Sequence, residues 1–129
     1  MRLGYLAANK IVVDALQLVR LPYHLSAITQ AAAEVALDFQ EELLAEVSKL
    51  ASDRDQVAKA LAELGLKVIP SDANFILFGG FKQSSHELWE KLLAEGVLIR
   101  DVGLAGYLRV TIGNDVENQA FLKALKGAL

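Results

Sequence analysis

Cysteine is absent from the 129-residue chain, so neither a disulfide framework nor a thiolate metal site can be built from it. Histidine is nearly absent too: His24 and His86 stand too far apart in sequence to form a local metal motif, and no metal is expected. Basic charge is not in excess. The 13 Lys and Arg residues are outnumbered by 16 Asp and Glu, leaving a net charge of -3, and they are scattered instead of striped. Such a balance offers no field to gather phosphodiester backbones, which excludes nucleic acid as the expected partner. No apolar run reaches the roughly 20 residues of a membrane span, since Arg2, Lys10 and Asp14 interrupt the opening stretch MRLGYLAANKIVVDALQLV. That stretch reads as neither anchor nor signal peptide, and a cytoplasmic location is expected.

What is present is the balance of a globular domain: 53% hydrophobic and 22% charged residues, enough for one sizeable core. The mean hydropathy of +0.32 is high for a chain of this size. Apolar surface is therefore expected to meet another chain or another domain, around Leu3, Tyr5, Val12 and Leu18 in particular.

Along the chain, Leu3 to Ala8 reads as a short buried strand, and Asn9 as the cap of a helix over Ile11 to Leu18. Pro22 breaks the chain in LVRLPYHLS, and Ser26 can cap a second helix through AITQAAAEVAL. From Gln40 to Leu64 the residues Leu43, Val47, Leu50, Val57, Leu61 and Leu64 recur at three- and four-residue steps, and Gly65 supplies the stop. The pattern predicts a long amphipathic helix whose Glu46, Lys49, Asp53 and Lys59 form its solvated face. Arg54 falls at an otherwise apolar phase, where it would snorkel or pair with Glu34 or Glu46.

The second half changes period. LKVIP and NFILFGG are short β-type runs separated by Pro70, Ser71 and Asp72, which suggests an antiparallel pair. A helix carrying Leu88, Trp89, Leu92 and Leu93 follows, then a strand VLIRDV, a loop with Gly103 and Gly106, a strand YLRVTIG and a helix from about Val116. The order β-β-α-β-β-α predicts an α+β fold: a small mixed, largely antiparallel sheet with helices on one face, preceded by the long helix.

The segments RLGYLAA, RLPYHLS, SDANFILF, GVLIRD and YLRVTIG, in this order and spread over essentially the whole chain, resemble the fold-type I aminotransferases, and among them the histidinol-phosphate aminotransferase family. The resemblance implies a pyridoxal 5'-phosphate (PLP) enzyme moving an amino group between L-histidinol phosphate and 2-oxoglutarate in histidine biosynthesis. It implies a small-molecule amino donor and a 2-oxo acid as partners, and a homodimer. Residues 1–38 would be the tail of the large PLP-binding domain and 39–129 the small C-terminal domain, joined by the long helix.

In that family a Ser-Lys pair, whose lysine forms the Schiff base with PLP, precedes the arginine that matches Arg2. None of the eight lysines here (Lys10, Lys49, Lys59, Lys67, Lys82, Lys91, Lys123 and Lys126) stands in such a motif. The chain is thus expected to hold no catalytic lysine, to bind no PLP alone and to be inactive alone. Relatives acting on aromatic amino acids or decarboxylating phosphorylated ones share the scaffold, and a non-catalytic, self-associating domain is the other class of reading.

Four residues carry the chemistry the resemblance implies. Arg2 matches the contact to the PLP phosphate, a task suited to a planar, permanently charged guanidinium; the alternative is a surface arginine at a terminus. Arg109 matches the arginine that grips the acidic group of the substrate, with an ion pair to Asp101 or a helix acid as the alternative. Arg100 matches a position that helps bind the substrate phosphate, unless Asp101 neutralises it. Asn74, in SDANF, would line the substrate entrance or bond its own backbone in a turn. Tyr23 and His24 are read as packing residues. Strand pairing would bring Arg100 and Arg109 to one face, where two close cations repel by about 1 kcal/mol even at water's dielectric unless an anion joins them.

Overall fold

A computed structural model describes residues 3–22 and 25–129, so Arg2, Tyr23 and His24 lie outside the described residues. The chain forms two compact units, residues 1–44 and 45–129.

In the first unit Asn9 accepts a hydrogen bond from the Ile11 N–H and starts α1 (Lys10–Val19), and Ser26 caps α2 (Ala27–Leu37) by accepting from the Thr29 N–H. Neither helix buries a residue. Tyr5 is 97% exposed and Leu18 88%, so the apolar residues flagged in the sequence are uncovered within the chain. The strand expected over Leu3 to Ala8 is not formed: these residues are irregular and exposed. A strand needs a partner to take its backbone groups, and none of the described strands pairs with this segment.

The helix α3 (Gln40–Glu63) ends where expected, with Gly65 in the left-handed conformation at φ 79° and Leu66 N–H bonding back to the Leu61 carbonyl. Only the later part of its apolar stripe meets a core. Val57 and Leu61 are buried and Leu50 and Leu64 half-buried, whereas Leu43 and Val47 are exposed. Arg54 pairs with its neighbour Asp55, through Nε at 3.0 Å and Nη2 at 2.9 Å, and not with Glu34 or Glu46. The adjacent carboxylate reaches both donors of one edge of the guanidinium without a long-range contact.

The remaining elements are β1 (Lys67–Val68), β2 (Phe75–Gly79), α4 (Ser85–Ala94), β3 (Arg100–Asp101), β4 (Tyr107–Thr111) and α5 (Asp115–Ala128). They build one four-stranded sheet in the order β1-β2-β4-β3, every pairing antiparallel, in keeping with the small, largely antiparallel sheet expected. Alternation sends Ile76, Phe78, Leu108 and Val110 to one face, where they pack with Val57 and Leu61 of α3, Leu88 and Leu92 of α4, and Phe121 and Leu125 of α5. All three helices therefore cover the same face. Capping boxes at Ser84 with Glu87 and at Asn114 with Glu117 fix where α4 and α5 begin. The strand expected over VLIRDV shrinks to two residues, because Asp101 accepts from the Gly103 N–H and Gly103 turns left-handed.

Candidate anion site on the open face of the sheet

The other face of the sheet carries the side chains that could do chemistry. Arg109 and Arg100 are register partners across β4 and β3, so their side chains leave the sheet on the same side. Together with Trp89, Leu98, Ile99, Asp101 and Thr111 they line a cavity of about 460 Å³. Arg109 sits in the central strand, flanked by Leu77 of β2 on one side and Arg100 on the other. Arg100 is exposed on the edge strand, and Arg109 is half-buried.

Three observations define the electrostatics. The Arg109 guanidinium lies over the Phe75 ring, 4.7 Å from its centroid, a contact in which the ring face attracts the cation. Its Nε is buried and has no hydrogen-bond partner among the described residues. Neither Arg100 nor Arg109 has a carboxylate in ion-pair range among the described residues: Asp101 borders the same cavity, but its carboxylate accepts from the Gly103 N–H at 2.9 Å and stands 3.7 Å from Nδ1 of His86. The alternative in which Asp101 or a helix acid neutralises either arginine is thus not what the chain adopts. A buried donor left unsatisfied costs about 1–3 kcal/mol, so the arrangement is suited to an incoming acceptor that is itself negative.

A third cation stands on the same face. Lys67, in register with Gly79 and through it with Tyr107, holds its Nζ 5.6 Å from the Tyr107 ring centroid, and the Tyr107 side chain raises its pKa. Gly79 lies between them in register, and a Cβ there would strike the Gly106 carbonyl oxygen and crowd the Tyr107 ring.

Asn74 is exposed and its side chain makes no hydrogen bond among the described residues; the turn before β2 is held by Ser71, whose hydroxyl donates to the Phe75 carbonyl and accepts from the Ala73 N–H. Only the Asn74 backbone engages, its carbonyl accepting from Ile112 N–H. Asn74 is not among the residues lining the cavity of the two arginines. Phe75 and Trp89 were not singled out as site residues from the sequence. The period-2 alternation of NFILFGG does place Phe75 opposite in sense to Ile76, but which strand lies beside it is a tertiary fact.

No lysine lines this cavity, and no group of three or more metal-ligating side chains occurs among the described residues. This cavity fits an anion and offers no amine to the aldehyde of PLP.

The profile of the family described as aminotransferase class I and II matches residues 1–125. The chain belongs to that family. It is 59% identical over 123 residues to the histidinol-phosphate aminotransferase of Rhodococcus jostii (strain RHA1), covering 95% of this chain and 32% of that protein. Among solved structures, the histidinol-phosphate aminotransferase of Sinorhizobium meliloti in complex with pyridoxal-5'-phosphate superposes with a TM-score of 0.74 at 27% identity, over 89% of this chain and 33% of that one. The L-threonine-O-3-phosphate decarboxylase of Porphyromonas gingivalis superposes with a TM-score of 0.78 at 30% identity, over 93% and 39%. The chain thus spans about a third of the length of the curated relatives it matches. No described helix of this aminotransferase chain is long and apolar enough to cross a membrane.

Proposed function

We propose that this chain is the substrate-anion-binding part of a PLP-dependent aminotransferase that moves an amino group between L-histidinol phosphate and 2-oxoglutarate, a cytoplasmic homodimer of histidine biosynthesis. The observation that carries the reading is the buried Nε of Arg109, partnerless among the described residues and placed opposite Arg100 in one cavity. In the proposed division of labour Arg109 holds the acidic group common to donor and acceptor, Arg100 adds a second clamp for the donor's phosphate, and Asn74 borders the substrate entrance. Arg2 contacts the PLP phosphate. PLP, when bound, supplies the electron sink for amino transfer; its lysine and most of its contacts come from outside the described residues. Residues 1–38 belong to the large domain in this reading and 39–129 to the small one.

The test is the full-length protein containing this chain, assayed with L-histidinol phosphate and 2-oxoglutarate against aromatic amino donors. Preference for the phosphorylated donor supports the reading, and preference for an aromatic donor overturns it. The likeness to a phospho-amino-acid decarboxylase favours one second reading, since the same anion clamp would serve there; carbon dioxide release from L-threonine O-3-phosphate decides it. The 129-residue chain alone is proposed to be inactive, and the uncovered apolar side chains of its first unit favour self-association. Size-exclusion chromatography with light scattering of that chain tests the second point.

A further inference from the structure

The two arginines differ in how they are held. Arg109 lies in a strand paired on both sides, but Arg100 lies in a two-residue edge strand that among the described residues pairs with β4 alone. Something other than the sheet must fix β3, and the structure supplies it from one face of α4. The Trp89 indole N–H donates to the Ile99 carbonyl at 3.0 Å, immediately before Arg100. The Ser85 hydroxyl accepts from the Gly106 N–H at 2.9 Å, at the start of β4. His86 stacks on Trp89, with ring centroids 5.7 Å apart and planes 13° apart, and leans toward Asp101. Residues 85, 86 and 89 share a helix face by their three- and four-residue spacing, so α4 grips the segment on either side of Arg100 as one unit.

Resting on the anion-site reading above, we infer that Trp89 is a positioning residue for the phosphorylated substrate, setting the reach of Arg100 through the Ile99 carbonyl. Without the indole N–H, that carbonyl loses its fixed donor and the edge strand is free to shift, while Arg109 stays anchored by the five-residue pairing of β4 with β2. The loss falls on the ligand that uses Arg100 and spares the ligand that needs only Arg109.

The experiment uses the full-length holoenzyme and three variants: Arg100→Ala, Trp89→Phe, and Trp89 replaced by benzothienylalanine, which keeps the ring system and removes only the N–H. Apparent affinity for L-histidinol phosphate and for 2-oxoglutarate is measured in separate half-reactions. Loss of one hydrogen bond predicts that both Trp89 variants weaken L-histidinol phosphate by roughly fivefold and change 2-oxoglutarate by less than about twofold. In the Arg100→Ala background the Trp89 change adds nothing further. If Trp89→Phe does not fold, the benzothienylalanine variant decides alone. Equal losses for both ligands mark Trp89 as merely structural and overturn the inference, as does no loss for either while Arg100→Ala is impaired. An Arg100→Ala enzyme with undiminished affinity for L-histidinol phosphate instead overturns the anion-site reading itself.

Discussion

Arg100 and Arg109 face one another directly across β3 and β4, in a sheet face where neither has a carboxylate partner among the described residues. Like charges directly opposite on a sheet destabilise it. On the proposed reading a bound anion offsets that repulsion.

In the full-length enzyme Arg109→Ala should therefore reduce kcat/KM for both L-histidinol phosphate and 2-oxoglutarate, by roughly ten- to hundredfold for loss of a charged hydrogen bond. Arg100→Ala should hurt the phosphorylated donor more than the oxo acid. Steady-state kinetics with both substrates checks this; equal losses in the Arg100 variant would end the proposed division of labour.

Phe75 supports Arg109 from below by the ring contact at 4.7 Å. Replacing it by Leu keeps apolar bulk and removes the π face, so anion affinity should fall by about two- to fivefold, the equivalent of roughly 0.5–1 kcal/mol. Titration with L-histidinol phosphate reads the change, and an unaltered affinity would show that the ring merely packs.

Gly79→Ala should destabilise the second unit by about 1–3 kcal/mol, the usual range for overpacking. The new Cβ would meet the Gly106 carbonyl oxygen and lie 3.0 Å from Cδ1 of Tyr107, so the backbone of that turn must shift to admit it. Chemical denaturation is the measurement; a variant as stable as the parent would mean that the 103–106 loop yields freely.

The Glu87 carboxyl is held below its ordinary value of 4.5, first by the Ser84 backbone N–H and then by the Ser84 hydroxyl. A group whose folded pKa is depressed contributes stability that is fully present above its unfolded value and lost as pH falls through the folded one. The gap in Tm between the parent and Glu87→Ala should therefore be seen at pH 7 and shrink below about pH 4. A gap of constant size across that range would assign Glu87 a role in packing and not in the charged cap.

The elements legible from the sequence were those whose information is local. Asn9, Ser26 and Gly65 mark helix ends through bonds spanning a few residues, and the alternation of YLRVTIG sorts Leu108, Val110 and Ile112 from Tyr107, Arg109 and Thr111 without reference to any neighbour. The expectation that strand pairing brings Arg100 and Arg109 to one face agrees with their register across β3 and β4. Leu3 to Ala8 misled because an apolar run states a preference for burial, while a strand exists only where another backbone accepts its hydrogen bonds.

By itself, then, the order of residues determined the helix ends and the core faces of β2 and β4, because periodicity and capping act within a few residues. Only the tertiary structure decided that β2 and not β1 lies beside β4, that Phe75 ends up against the Arg109 guanidinium, and that Asp101 bonds the Gly103 N–H and leaves Arg100 unpaired. These depend on strand order and register, which bring together residues tens of positions apart and are set by how the whole core packs, so no local pattern encodes them.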